Sequence, residues 1–170
     1  MAEQKTENQN DLRKLQLVEL DILKEFLRIC KKHHLRYYAL GGTLLGAVRH
    51  EGFIPWDDDI DIGFLRKDYD RFLALAKEEL SDKYEVLNAI EDQNYPLPTT
   101  RLVKKGTVFH EEPLKNCKCN FGIFLDLYSF DNAADDEKAM RKQGKKAWFW
   151  GKLLILRHIG KPTLYFGGWK

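Results

Sequence analysis

The sequence predicts an α+β domain in which helices flank a mixed sheet. Apolar residues recur at three- and four-residue steps over residues 11–34, which is typical of a helix that packs one face on a core. Farther along, short apolar or alternating segments lie between turn residues, which is typical of strands. The chain of 170 residues is long enough for one core. We therefore expect a polar, frayed tail at residues 1–10 and a single domain at residues 11–170.

Each helix and strand follows from a local pattern. The first helix has Asp11 as its N-cap, and a second helix begins at Asp68. The core face of the first helix carries Leu15, Val18, Ile22, Phe26 and Ile29. Besides a strand around Ile60, strands are predicted at residues 36–40, 84–90, 97–104 and 121–130.

A third helix, from Glu137 to about residue 157, mixes aromatic and aliphatic residues with many lysines and arginines. Such a helix either packs on its own domain or lies on an anionic membrane surface. Because the apolar residues surround much of the helix, we favour packing.

The acidic run at residues 55–62, PWDDDIDI, carries the most functional information. In a strand, Asp57, Asp59 and Asp61 would share one face, while Ile60 and Ile62 would point toward the core. Like charges at that spacing repel, and a divalent cation would offset the repulsion. Oxygen ligands suit Mg²⁺ or Mn²⁺. The alternative is an acidic turn without a ligand; a calcium loop of the EF-hand type needs glycine and glutamate at positions that hold other residues.

A glycine turn precedes this run. Gly41 and Gly42, followed by Thr43, end a short strand before the apolar helical run at residues 44–48. A helix start of this kind exposes backbone N–H groups that bind phosphate, although two glycines also make an ordinary turn. Arg49 is a candidate phosphate clamp, with a salt bridge to the acidic run as the alternative.

Residues 40–62, LGGTLLGAVRHEGFIPWDDDIDI, resemble the signature of the LicD family, and the resemblance extends over about residues 11–131. The family consists of phosphotransferases with a nucleotidyltransferase fold of the DNA polymerase β type. Its bacterial members move phosphocholine from CDP-choline to surface glycans, and the related fukutin-related proteins use CDP-ribitol. The family usually continues past this C-terminal end, so the resemblance implies either a domain truncated there or a short member of the family.

The resemblance implies a role for each matching residue. Residues 41–43 match the glycine turn on the donor phosphates, and Asp59 and Asp61 match the paired metal-binding carboxylates. A third catalytic carboxylate matches Asp126 on a later strand, with Asp131 as the next candidate. The turn and the first carboxylate are farther apart than in the general superfamily, which argues against polymerase-like substrates.

The implied activity is transfer of a phospho-alcohol group, phosphocholine first among them, with two Mg²⁺ or Mn²⁺ ions. The partners would be CDP-choline or a related CDP-alcohol and a glycan acceptor, such as a lipopolysaccharide or a teichoic acid precursor. Trp56, Tyr95 and Tyr128 are candidate walls for a quaternary ammonium group. The alternative is a catalytically silent module of the same fold that binds a nucleotide or glycan.

Composition also bears on nucleic acid binding, on the state of the cysteines and on the location of the protein. The formal net charge of +2 gives no indication of nucleic acid binding. Cys30, Cys117 and Cys119 are expected to be reduced thiols, because three cysteines give no disulfide framework. A zinc site at Cys117 and Cys119 with His110 would need a different spacing. No early apolar stretch has the length of a signal or membrane segment, so we expect a cytoplasmic protein, with peripheral contact at the inner face of the membrane as a further expectation.

Overall fold

The computed structural model describes residues 2–119 and 121–159. The helices are α1 (Ala2–Lys32), α2 (Gly41–Arg49), α3 (Arg66–Glu79) and α4 (Glu137–Ile159). The strands are β1 (Tyr38–Ala39), β2 (Asp61–Leu65), β3 (Tyr84–Leu87), β4 (Thr100–Lys104) and β5 (Phe124–Phe130). Within the described residues the strands form one mixed sheet in the order β1-β2-β5-β4-β3. The predicted mixed sheet with flanking helices is confirmed.

The central pair of strands, β2 and β5, is parallel, and its register places Asp61 opposite Asp126. The strands β1 and β4 pair with this central pair in antiparallel fashion, and β3 forms the outer edge beyond β4. The residue at the start of β2 therefore lies beside a residue near the middle of the sheet.

The main hydrophobic core lies between the sheet and the helices α1 and α3. Its fully buried members include Ile22, Phe26, Ile29, Phe64, Phe72, Leu102, Leu125 and Leu127. The predicted inward direction of Ile60 and Ile62 is confirmed, since these side chains are 3% and 2% exposed. Because strand residues alternate in direction, Asp61 and Asp126 lie on the face of the sheet away from this core.

Two predicted helix caps are wrong. The helix α1 already includes Ala2, so Asp11 lies inside it. The helix α3 begins at Arg66, with Leu65 in the N-cap position. Asp68 instead lies in the first turn, where it is buried and forms ion pairs with arginines on either side of it in sequence. A carboxylate in the first turn still interacts favourably with the helix dipole.

The packing predicted for α4 is wrong for most of its apolar residues. Ile155 is buried, but other large apolar side chains of this helix are exposed to solvent. They are Met140, Trp148, Phe149, Trp150, Leu153 and Leu156. Contact of this helix with a membrane surface stays a prediction. No described helix is both long and apolar enough to cross a bilayer. The C-terminal segment at residues 162–170, on which the predicted truncation depends, lies outside the described residues.

Gly46 sets the distance between α2 and the loop that leads to the acidic run. Its carbonyl oxygen accepts hydrogen bonds from the backbone N–H groups of His50 and Gly52. A Cβ atom at Gly46 would lie 2.4 Å from the carbonyl oxygen of Gly52 and 3.0 Å from the nitrogen of Ile54. The backbone of this loop leaves no room for a side chain at Gly46.

We predict that Gly46→Ala lowers the free energy of unfolding by about 1–3 kcal/mol, because the added methyl group forces the loop away from α2. Urea unfolding followed by circular dichroism measures the change. Gly144→Ala is the matched control, since a Cβ atom there meets nothing within 4 Å on α4. A helix-interior alanine at that position should be neutral or stabilise by up to about 1 kcal/mol. Equal behaviour of the two variants would contradict the packing described for Gly46.

Candidate active site

Three consecutive carboxylates form a cluster just before β2. The side-chain oxygens of Asp57, Asp58 and Asp59 all lie within 4.8 Å of one another. These residues precede the strand, which begins at Asp61, so the alternating strand predicted from Asp57 onward is wrong over this segment. A loop allows neighbouring carboxylates to converge, whereas a strand would point them to opposite faces.

Asp61 and Asp126 extend the acidic surface onto the sheet. They are direct partners in the parallel register of β2 and β5. Burial first, and then the charges of Asp61 and Asp57, raise the pKa of Asp59 to about 6. Burial also raises the pKa of Asp61 and of Asp126. The predicted carboxylates therefore share one electrostatic environment that disfavours their charged forms.

The N-terminal end of α2 lies against the same acidic surface. A Cβ atom at Gly42 would lie 2.3 Å from Asp57 Oδ2, and one at Gly41 would lie 3.4 Å from Asp61 Oδ2. Gly41 has a φ of +47°, in the left-handed region that favours glycine. The backbone N–H of Asp61 donates a hydrogen bond of 2.9 Å to the Thr43 hydroxyl. The predicted glycine turn and the predicted carboxylates are thus brought together.

The structure separates Arg49 from this turn. Arg49 is exposed in the last turn of α2, about 12 Å along the helix axis from Gly41. It forms no ion pair with the acidic run among the described residues. Its role as a phosphate clamp stays a prediction.

Arg101 is a further residue of this site. It lies on the interior strand β4 and is only 4% exposed. Its Nε donates a hydrogen bond of 3.2 Å to Asp126 Oδ1, and its terminal nitrogens bind both carboxylate oxygens of Glu111. The guanidinium carbon lies 3.6 Å from the centre of the Phe124 ring. These contacts fix Asp126 in one orientation, and Thr99 donates a further, longer hydrogen bond to the same oxygen.

Glu19 on α1 was not predicted. It is 2% exposed, and its Oε2 has no hydrogen-bond partner among the described residues. Burial, followed by the nearby charge of Asp59 and its two preceding neighbours, raises the pKa of Glu19 to about 9. A signal was present in the sequence, since Glu19 continues the three- and four-residue steps of Ile22 and Phe26 toward the N-terminus.

A cleft of about 370 Å³ opens beside these carboxylates. It is lined by Asp58, Asp59, Arg101, Phe109, His110, Glu111, Phe124 and Asp126. Of the candidate aromatic walls, Tyr95 is fully buried in a second small core with Phe121, so it cannot line a ligand site. Trp56 is 76% exposed. The Tyr128 hydroxyl lies close to Asp61, where it offsets part of the rise that burial causes in the pKa of that carboxyl group.

The other predicted groups lie outside this cleft. Asp131 is exposed and binds Arg66 through both carboxylate oxygens, at 2.7 Å each. Cys117 and Cys119 are free thiols in the second core, as predicted, and Cys30 is a free thiol in the main core. The sheet register, and not Asp131, places a carboxylate opposite Asp61, since the partner of Asp61 on β5 is Asp126.

Comparison with known proteins identifies the class to which this fold and site belong. The model of the family described as LicD/FKTN/FKRP, nucleotidyltransferase domain, matches residues 34–143. Because this match covers more than half of the sequence, the chain belongs to the LicD family.

Individual relatives agree with this membership. The chain is 46% identical over 137 residues to the lipopolysaccharide cholinephosphotransferase LicD of Haemophilus influenzae, a match covering 79% of this chain and 50% of that protein. The mouse and human ribitol 5-phosphate transferases FKRP are 53% identical over 34 residues, covering 20% of this chain and 7% of each relative. The match thus spans about half of the length of the Haemophilus protein.

We predict that Arg101→Met lowers the free energy of unfolding by about 3–5 kcal/mol, because it leaves two partly buried carboxylates without their cationic partner. Chemical denaturation in EDTA measures the loss. The matched control is Arg66→Met, which removes an arginine from an exposed pair with Asp131. That control should cost about 1 kcal/mol or less. A loss of similar size in both variants would contradict the positioning role of Arg101.

We predict that the metal-free protein loses stability as pH rises from about 6 to 8. An acid whose pKa is raised on folding binds more protons in the folded state, so its stabilising contribution is present below the unfolded pKa and is lost as pH rises through the folded pKa. For Glu19 that window runs from 4.5 to about 9. Glu19 changes the free energy of unfolding by at most about 1.4 kcal/mol per pH unit within this window.

Unfolding of wild type and Glu19→Gln in EDTA at pH 6 and pH 8 measures this slope. The variant should have the smaller slope and be the more stable of the two at pH 8. The same slope in both proteins would show that Glu19 does not titrate in this window.

Proposed function

We propose that this chain is the catalytic domain of a metal-dependent phosphotransferase with a nucleotidyltransferase-type fold. It would transfer phosphocholine, or a related phospho-alcohol, from a CDP-activated donor to a hydroxyl group of a cell-surface glycan or its precursor. Family membership supports the reaction class, and the names of the Haemophilus and FKRP relatives support a phospho-alcohol as the group transferred.

The observation that carries the proposal is the pairing of Asp61 with Asp126 beside the glycine-led end of α2. Donor phosphates and carboxylates are both negative, so phosphates approach this end of α2 only when a cation offsets the repulsion. A phosphotransferase that uses a diphosphate donor and a metal ion needs both groups at one place.

The residues fit a hard divalent cation. Each candidate ligand is a carboxylate oxygen, the donor type that Mg²⁺ and Mn²⁺ prefer. The raised pKa of Asp59 and the unpaired Oε2 of Glu19 are features of a site that is incomplete without a positive charge. We assign Asp59, Asp61 and Asp126 to two such ions. When bound, the ions would neutralise the charge that develops on the phosphates during displacement.

The chain's own residues would bind and orient the reactants. The backbone N–H groups at Gly41 and Gly42, with Thr43, would hold the donor diphosphate at the positive end of the α2 dipole. Asp126 would take the proton of the acceptor hydroxyl, directly or through water. The hydrogen bonds from Arg101 and Thr99 both reach Oδ1 of Asp126, so we assign Oδ2 to that proton.

We predict that CDP-choline with Mg²⁺ raises the melting temperature of the chain more than CDP-ribitol, CDP-glycerol or CDP does. A ligand that binds only the folded state stabilises it, by about 2.7 kcal/mol at a hundred times its Kd. For a chain of this size that gain corresponds to a shift of about 5–10 °C. Differential scanning fluorimetry with each donor, with and without the metal, measures the shift.

The control is Asp59→Ala, which should keep its fold and lose metal-dependent donor binding in titration calorimetry with Mn²⁺. CMP release from CDP-choline in the presence of a glycan acceptor then reports on transfer. A flat response to every donor in the presence of metal would withdraw the transferase assignment and favour the silent binding module. Equal donor binding by wild type and Asp59→Ala would remove Asp59 from the metal site.

A further inference from the structure

The helix α4 is exposed to solvent over most of its surface. All residues from 141 to 150 are exposed, whereas Ile155 is buried and Gly151 and Leu154 are half-buried. Leu154 and Ile155 follow Gly151 by three and four positions, so these covered residues share one face of the helix. Within the described residues, the opposite face of α4 is therefore left uncovered.

The uncovered face carries a continuous row of side chains, which we call the exposed stripe. The stripe is basic in its first half and apolar in its second, its successive members are three or four residues apart, and all of them are exposed. Its members are Lys138, Lys142, Lys145, Phe149, Leu153 and Leu156. On a regular helix these positions fall within an arc of about 80°, on the side away from Gly151, Leu154 and Ile155.

The exposed stripe lies on a strongly basic helix. The charged residues of α4 are seven lysines or arginines and one glutamate. The chain as a whole has 28 basic and 26 acidic residues, so acidic residues outnumber basic ones outside α4. Among the ion pairs of residues 2–119 and 121–159, none includes Lys138, Lys142 or Lys145. The positive charge of the stripe is therefore directed at solvent.

This combination of charge and apolar surface fits an anionic phospholipid bilayer. Lysines close to such a surface are attracted to the headgroups. Apolar side chains on the same face of a helix enter the boundary between headgroups and acyl chains. Trp148 and Trp150 lie on either side of the apolar half of the stripe and are both exposed. Tryptophan favours the membrane interface, so these residues extend the contact sideways.

Two other occupants fit less well. A nucleic acid would pair with the lysines through its phosphates but would leave the apolar half of the stripe without an apolar partner. A second copy of the chain, packed on the same face, would bury lysines beside a helix with one carboxylate. That carboxylate, Glu137, already pairs with Arg141. Burying unpaired charges in this way is costly.

We propose that the exposed stripe docks this protein on an anionic phospholipid surface. The lysines contact the headgroups, and the apolar side chains enter the interface beside them. Docking needs neither a CDP donor nor a metal ion, because the stripe includes no residue of the proposed donor site. The surface therefore goes beyond the proposed function.

Sedimentation of the full chain with lipid vesicles in EDTA tests this surface. Vesicles of equal parts phosphatidylcholine and phosphatidylglycerol should bind the protein, and vesicles of phosphatidylcholine alone should bind it at least about tenfold more weakly. A variant that combines Lys138→Gln, Lys142→Gln and Lys145→Gln should lower the partition constant for the anionic vesicles about a hundredfold.

The matched control replaces Lys24, Lys67 and Lys105, which are exposed and lie outside α4, by glutamine. This control has the same net charge as the stripe variant, and it should bind within about threefold of wild type, since charges far from the contact are screened. A second stripe variant combines Phe149→Ser and Leu153→Ser and should bind at least about tenfold more weakly. Both side chains are exposed, so this variant keeps its fold, which circular dichroism checks.

No binding of wild type to the anionic vesicles, or an equal loss in the lysine variant and its control, would overturn the docking surface. Unchanged binding by the Phe149→Ser and Leu153→Ser variant would overturn it as well. A dimer in analytical ultracentrifugation that this variant dissociates would instead assign the stripe to a second copy of the chain. Vesicle binding in EDTA is measured without donor or metal, so this surface and the transferase assignment can fail separately.

Discussion

Negative charge concentrated at the start of β2 is the constraint on which the site depends. The loop brings Asp57, Asp58 and Asp59 together, and the sheet register adds Asp61 and Asp126 beside them. Nothing local favours this arrangement, because like charges repel more strongly as they become buried. The core between α1, α3 and the sheet holds it in place. Hydrophobic packing thus holds together carboxylates that repel one another.

The two halves of the acidic surface are neutralised differently. At β5 the protein supplies its own positive charge, since Arg101 binds Asp126 and Glu111 and lies over the ring of Phe124. Toward α1 the described residues supply none. The guanidinium of Arg101 holds Asp126 in a fixed orientation, and both residues line the cleft.

Much of the fold could be predicted because its signals are local. The helical steps of α1 and the inward direction of Ile60 and Ile62 follow from periodicity alone, and Asp126 followed from the resemblance to the family. The burial of Arg101 could not be predicted, because it depends on Glu111 and Asp126, which reach it only through tertiary structure. The apolar residues of α4 indicated burial, yet periodicity does not specify a partner, and many of them are exposed.

The hydrogen bonds from Gln16 to the loop before β2 bear on what counts as the domain. The family match begins at residue 34, after the end of α1. Yet α1 contributes Ile22, Phe26 and Ile29 to the core and holds the segment that carries the acidic run. The segment that matches the family and the segment that builds the hydrophobic core therefore have different boundaries. A polypeptide cut to residues 34–143 would retain the family signature and lose one wall of its hydrophobic interior.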